Sequence, residues 1–210
     1  VFDRLIAFGC SNTYGQNLSD SKKMERLQGK TPSNYSWPGQ LASLLSIDVV
    51  NNGDPGTSNK EICHRIVNYE FNPKDLVVIG WTFPERESVF KDKDNSRRYS
   101  HVWRDKGSKF YVRFMLETYD RYFQTMTHIN LVSSYLKHNN IKNIGFICCH
   151  DGGYNEWVDS NYGSTEWVTR IHDIEYYKIL DTYGTVCDKF HPSKKSHEQI
   201  ALRLKNILYA

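Results

Sequence analysis

Four short apolar runs recur along the chain, Leu5-Ile6-Ala7-Phe8, Ile47-Asp48-Val49-Val50, Leu76-Val77-Val78-Ile79 and Ile144-Gly145-Phe146-Ile147. Each is brief and bounded by polar or turn residues, the pattern of a strand buried in a sheet. The segments between them carry helical spacing. Trp37 to Leu45 has Ser36 to cap it and Pro38 in its first turn, both helix-start signals. A second helix is expected from about Asn59 to Tyr69. A long one from about Arg113 to Asn139 would place Leu116, Tyr119, Phe123, Met126, Ile129, Leu131 and Leu136 near one face. A last helix from about Pro192 to Leu208 would turn Ile200, Leu204, Ile207 and Leu208 inward. Strands alternating with helices predict a three-layer α/β/α sandwich around a five-stranded parallel sheet. The fifth strand falls either on Glu175 to Leu180 or on Thr185-Val186-Cys187.

Two stretches break this rhythm, Asn17 to Tyr35 and Phe83 to Lys109. Both read as long loops, insertions of the kind that form binding elements or lids. No repeat or low-complexity tract divides the chain, so residues 1–210 read as a single domain. Composition agrees with a folded chain: 39% hydrophobic, 24% charged and 14% aromatic residues lie far from a disordered composition. The formal charge of +3 is spread among acids. The basic clusters at Lys22, Lys23 and Arg26 and at Arg97-Arg98 read as solvated loops, and no nucleic-acid partner is expected. Five cysteines without a CxxC pair fit a reducing compartment. No apolar run approaches membrane-spanning length, and Val1 to Phe8 is too short and charged for a signal peptide. A cytoplasmic location and no membrane partner are therefore expected.

The chemistry-bearing residues sit at the two ends of the chain. The first strand runs into Phe8-Gly9-Cys10-Ser11-Asn12-Thr13-Tyr14-Gly15, which puts a serine where a buried strand meets a glycine-bounded turn. Near the other end, Asp188-Lys189-Phe190-His191-Pro192-Ser193 places a carboxylate three residues before an imidazole, just ahead of the last helix. A serine hydroxyl becomes a useful nucleophile when an imidazole removes its proton during attack. A carboxylate on the other ring nitrogen fixes the tautomer and stabilises the imidazolium.

With these blocks in view, the chain resembles the SGNH, or GDSL-like, serine hydrolases. Gly9-Cys10-Ser11-Asn12-Thr13-Tyr14-Gly15 resembles that family's Gly-Asp-Ser-x-Thr-x-Gly, and Asp188 to Ser193, followed by His197 and Ile200-Ala201, its Asp-x-x-His-Pro-Ser and helix. Asn51-Asn52-Gly53-Asp54-Pro55-Gly56 is similar to an Asn-x-Gly-x-x-Gly turn, and Gly80-Trp81-Thr82-Phe83 stands where the family has Gly-x-Asn-Asp. The resemblance implies a flavodoxin-like SGNH hydrolase fold. It makes Ser11 the nucleophile, His191 the general base and Asp188 its orienting partner, with the amides of Ser11 and Gly53 as oxyanion donors and His197 as a packing residue. The Asn, Lys and Tyr content and the Gly80-Trp81-Thr82 variant also resemble bacteriophage members, which adds a virion-associated location to the cytoplasmic one.

Two positions depart from the pattern. Cys10 replaces an acidic residue that supports the turn, and Thr82 replaces the side-chain amide that gives the third oxyanion hydrogen bond. That donor then comes from Thr82 itself, Trp81, Arg86 or Arg98, or is missing; Arg86 is also a candidate for binding an anionic or hydroxyl-rich substrate group. His150, after the fourth strand, is a further substrate-contact candidate. No ligand spacing calls for a metal or other cofactor. The expected function is hydrolysis of a small-molecule or glycan acyl ester, such as an acetylated sugar. The alternatives are a hydrolase-like module that binds a glycan or protein without cleaving it, and a structural or assembly protein. Oligomeric state is left open.

Overall fold

A computed structural model describes residues 2–21, 31–84, 86–92, 95–99, 118–148, 171–172, 174–186 and 191–210, with only the backbone at 89–92, 95–99, 118–119 and 171–172. Five parallel strands form the sheet: β1 (Arg4–Gly9), β2 (Asp48–Gly53), β3 (Asp75–Trp81), β6 (Lys142–Ile147) and β7 (Ile171–His172). Their spatial order is β2-β1-β3-β6-β7. A separate antiparallel hairpin joins β4 (Glu87–Asp92) to β5 (Asn95–Tyr99). The helices are α1 (Ser11–Tyr14), α2 (Trp37–Leu45), α3 (Asn59–Val67), α4 (Thr118–His138), α5 (Tyr176–Tyr183) and α6 (Lys194–Tyr209).

Strand periodicity sorts the side chains into two cores. Leu5, Ala7, Leu76, Val78, Ile144 and Phe146 face Trp37, Leu41, Ile179, Leu180, Ile200 and Leu204, the layer of α2, α5 and α6. Ile6, Phe8, Val77, Ile79 and Trp81 face Ile62, Ile66, Met126, Ile129, Val132 and Leu136, the layer of α3 and α4. Neighbours along each strand thus point to opposite faces, and every side chain in these two sets is almost wholly buried. Burying one such aliphatic side chain stabilises the fold by roughly 1.5–3 kcal/mol. At the amino edge, Arg4 at the start of β1 donates Nε and Nη2 to the buried Asp75 carboxylate of β3 at 2.9 and 2.8 Å.

Several expectations are corrected. The fifth strand is Ile171–His172, paired with Gly145 and Phe146, whereas 176–183 is helical because Tyr176, Ile179, Leu180 and Tyr183 recur at the spacing of one helix face. Thr185 instead forms an isolated antiparallel bridge with Pro192. On α4 the buried stripe is Tyr122, Thr125, Met126, Ile129, Val132, Ser133 and Leu136, which leaves Phe123 and Leu131 about half exposed on the outer side. The 83–109 stretch holds the β4–β5 hairpin in place of the expected loop. Glu87 and Ser88 at the start of β4 are held by Lys60, Ser58 and Glu61, tertiary partners that local hydrophobicity does not register.

Candidate active site

In a parallel sheet of this kind the carboxyl edge is where connecting turns converge. β1 and β3 pair with Gly9 opposite Gly80, and β1 and β2 with Gly9 opposite Gly53. Directly beyond Gly9, Cys10 caps the short helix α1, so Ser11 occupies its first position. The Ser11 side chain is buried at 4% exposure, and among the described residues its hydroxyl has no hydrogen-bond partner. Its amide lies in the first turn, where N–H groups lack an intrahelical acceptor.

This turn is built by close approach. A Cβ on Gly9 would fall 2.0 Å from Thr13 Oγ1 and 2.8 Å from the Gly80 carbonyl oxygen, and one on Gly53 would fall 2.4 Å from the Tyr14 nitrogen. Gly15 then closes α1 in the left-handed region at φ 77°, where glycine carries no Cβ penalty. Cys10, in place of a carboxylate, lies with its sulfur 3.8 Å from Cys148 Sγ, and the Cys148 thiol donates to the Trp81 carbonyl at 3.1 Å. Asn12 Nδ2 donates to the Cys148 carbonyl at 3.0 Å, so β6 holds the serine turn from the opposite side of β3.

His191 reaches the same edge through two helices. The chain leaves α2 by a turn of Ser46 and Ile47 into the start of β2, so α2 begins at the carboxyl edge. The Trp37 amide at its first position donates to His197 Nδ1 at 3.1 Å, and His197 lies in the first turn of α6, just after His191. The backbone at His191 is pinned by the Val186 amide donating to its carbonyl at 2.9 Å, and Ser193 donates its amide to Gly184 at 3.1 Å. His197 is wholly buried. Burial, and secondly the charge of His191, push its pKa down to about 3, so it is neutral and accepts at Nδ1. The packing role expected of it matches this contact. Ser36, expected to cap α2 by its side chain, makes no cap bond; it donates to the Ser33 carbonyl and accepts from Asn51 Nδ2 at 3.2 Å.

Ser11 and His191 therefore share one edge of the sheet. Asp188 and His150 lie outside the described residues. Two of the substrate-side candidates are corrected. The Gly53 amide donates to Asn51 Oδ1 at 2.9 Å, which spends the N–H expected for an oxyanion; Gly53 serves as the small residue beneath α1. Trp81 is 1% exposed and belongs to the core cluster that holds Ile79 and Met126. In the same block Gly56 sits in the left-handed region at φ 81°, and among the described residues its N–H has no acceptor. The turn that carries it is tied to β1 by the Asp54 amide donating to Gly9 at 2.9 Å.

Thr82 and Arg86 do come together. Thr82 is 1% exposed; Asn59 accepts its amide at Oδ1 (2.8 Å) and donates Nδ2 to its carbonyl (3.0 Å). Arg86 Nη1 donates to Thr82 Oγ1 at 2.9 Å, and its guanidinium lies 5.1 Å from the centre of the Phe83 ring. Asn59 was unmarked as a site residue in the sequence, because its partners lie on other elements. Among the described residues no group of three or more metal-ligating side chains gathers, and no helix is long and apolar enough to cross a membrane.

Solved structures share this architecture along nearly the whole chain. A protein assigned to the lipolytic G-D-S-L family, from Desulfitobacterium hafniense, superposes with a TM-score of 0.59 at 16% identity over 97% of this chain and 98% of its own. TesA gives 0.59 at 14% identity over 98% of each chain. The fold is that of the G-D-S-L, or SGNH, hydrolases. Axe2, an acetylxylan esterase from Geobacillus stearothermophilus, superposes at 0.57 and 14% identity over 98% of this chain and 94% of its own. No protein-family model and no curated protein matches the sequence, so within this SGNH fold the chain is a divergent one.

Proposed function

We propose that this chain is a serine esterase acting on a small acyl ester, with an acetylated carbohydrate as the leading substrate class. Ser11 is the nucleophile, His191 the general base and Asp188 the residue that orients His191. The observation that carries this reading is the convergence of the Ser11 turn and the first turn of α6 on one sheet edge, through Trp37 and His197. Solved neighbours with this fold include Axe2, studied as catalytic mutants of a serine and of an aspartate, and an aryl esterase from M. smegmatis.

The chemistry follows from that placement. His191 takes the proton as Ser11 Oγ adds to the acyl carbonyl, and the carbonyl oxygen becomes an oxyanion. The amides of Ser11 and Gly56 stabilise it, since donors fixed in a water-poor site act without reorganising. The intermediate collapses to acyl-Ser11 as His191 protonates the departing alcohol. Water, deprotonated by His191, then attacks the acyl-enzyme and releases the acid. The Ser11 hydroxyl and His191 draw into contact when substrate binds, as catalytic hydrogen bonds commonly tighten in the Michaelis complex.

Turnover of 4-nitrophenyl acetate tests the reading. Ser11→Ala is expected to lower kcat by at least about 10³-fold with an unchanged thermal midpoint. Equal rates in the two proteins contradict it.

A further inference from the structure

The serine turn and the limb that carries His191 belong to opposite ends of the chain, and one side chain is bonded to both constructions. We propose that Asn51 is a positioning residue that sets the placement of Ser11 relative to His191, by clamping α1 to the start of α2. This rests on the esterase reading above and names a further residue on which that site depends.

Asn51 stands on β2 opposite Ala7 of β1. Ala7 belongs to the core on the α2 side of the sheet, and residues in register on paired strands share a face, so Asn51 meets the start of α2. Its carboxamide makes three bonds there. Nδ2 donates to the Thr13 carbonyl of α1 at 2.9 Å and to the hydroxyl of Ser36, the residue before α2, at 3.2 Å, while Oδ1 accepts from the Gly53 amide at 2.9 Å. The orientation is fixed by the partners: a peptide carbonyl only accepts and a peptide N–H only donates, so nitrogen faces Thr13 and oxygen faces Gly53. Aspartate has the same shape and no donor.

What these bonds hold is too small to hold itself. α1 is a single turn of four residues, and helix nucleation is unfavourable, so Ser11 takes its position from whatever α1 is fastened to. The Ser33 amide donates to the Tyr14 carbonyl at 3.0 Å, and Gly15 lies so close to this segment that a Cβ there would fall 2.8 Å from that of Ser33 and 2.7 Å from that of Ser36. Asn51 bonds α1 and the wholly buried Ser36 at once. From Ser36 the path to the base is short. The next residue, Trp37, donates its amide to His197 Nδ1 at 3.1 Å; His197 donates its own amide to the Ser193 carbonyl at 3.0 Å, and Ser193 caps α6 two residues after His191. A misplacement of about 1 Å between reacting groups costs about 100-fold in rate, so a tie between the two limbs acts on kcat more than on substrate affinity.

The experiment compares wild type, S11A, N51D, N51A, S36A and the N51A/S36A double variant in turnover of 4-nitrophenyl acetate and in fluorophosphonate labelling, each well below its own thermal midpoint. N51D, which sets an oxygen against the Thr13 carbonyl, should lower kcat by about 100-fold with KM within about 3-fold. N51A, which only loses bonds, should lower kcat by about 20-fold, and S36A, which loses one of the two ties, by about 5-fold. Because Asn51 and Ser36 act as one tie, S36A should cost little more in the N51A background. Labelling of Ser11 should slow in the same order. Ser11-dependent turnover with kcat of N51D and N51A within about twofold of wild type, whatever their thermal midpoints, overturns the Asn51 role and leaves the esterase reading standing. Should the Asn51 variants fail to fold, the same result for S36A overturns it. Turnover and labelling that do not depend on Ser11 overturn the esterase reading itself, and the Asn51 role with it.

Discussion

At the end of β1 the chain turns on the absence of side chains: Gly9, Gly53 and Gly80 let backbone and Thr13 approach to distances that a Cβ would block. At the end of β3, one strand away, the same edge is built from side chains that reach in from elsewhere, with Asn59, Ser58 and Glu61 gripping Thr82 and Ser88. The first construction tolerates little change, because backbone has nowhere to move. The second spreads its strength over several hydrogen bonds, each worth about 1 kcal/mol net, and adjusts by degrees. Ser11, the proposed nucleophile, stands on the rigid construction.

The comparison is sharpest where the rigid end is disturbed. Gly53→Ala forces a methyl into the backbone of Tyr14 and should destabilise the protein by about 3 kcal/mol, the upper range for overpacking, with turnover lost as α1 shifts. Chemical denaturation and ester turnover measure both, and a fully stable, active variant would show that α1 is not seated on Gly53. A smaller effect is expected at the adjustable end. Asn59→Ala removes both bonds to the Thr82 peptide and should cost about 2 kcal/mol. Fluorophosphonate labelling of Ser11 should survive the change. Ser88→Ala, which removes two bonds farther from Thr82, should cost less stability still, and a larger loss than for Asn59→Ala would reverse the ranking.

The smallest effect concerns pH. The folded pKa of His197 lies near 3, below its ordinary 6.5, so the unfolded chain takes up the proton first. Its contribution to stability is full above about pH 6.5 and is lost as pH falls toward 3. His128, lowered to about 4 by burial and then by Lys60, acts in the same direction. His197→Asn keeps an acceptor for the Trp37 amide and should flatten the decline of the thermal midpoint with acidification. An unchanged slope would show that His197 is not buried as a neutral group.

These constructions also differ in how plainly they are written in the chain. Ser11 between Gly9 and Gly15 is a local feature, and so is the spacing of Asp188 and His191; glycine and short-range spacing leave their mark in consecutive letters. β1, β2, β3 and β6, with α2, α3 and α6, were legible for the same reason, since their apolar residues repeat or cluster locally. Asn59, Ser88 and Glu61 are ordinary polar letters whose meaning comes from partners more than twenty residues away. The role of Gly53 was misjudged because its competing acceptor, Asn51 Oδ1, appears only once the strand end is folded. β7 escaped notice because two residues are too few to show a period.

The central claim is that Ser11 is a nucleophile activated at this edge. Incubating the protein with a fluorophosphonate and locating the adduct by peptide mass spectrometry tests it most directly. The account predicts rapid, stoichiometric modification of Ser11, slowed by His191→Ala and abolished in Ser11→Ala. A wild-type protein that remains unmodified, or that is modified only at another residue, would contradict it.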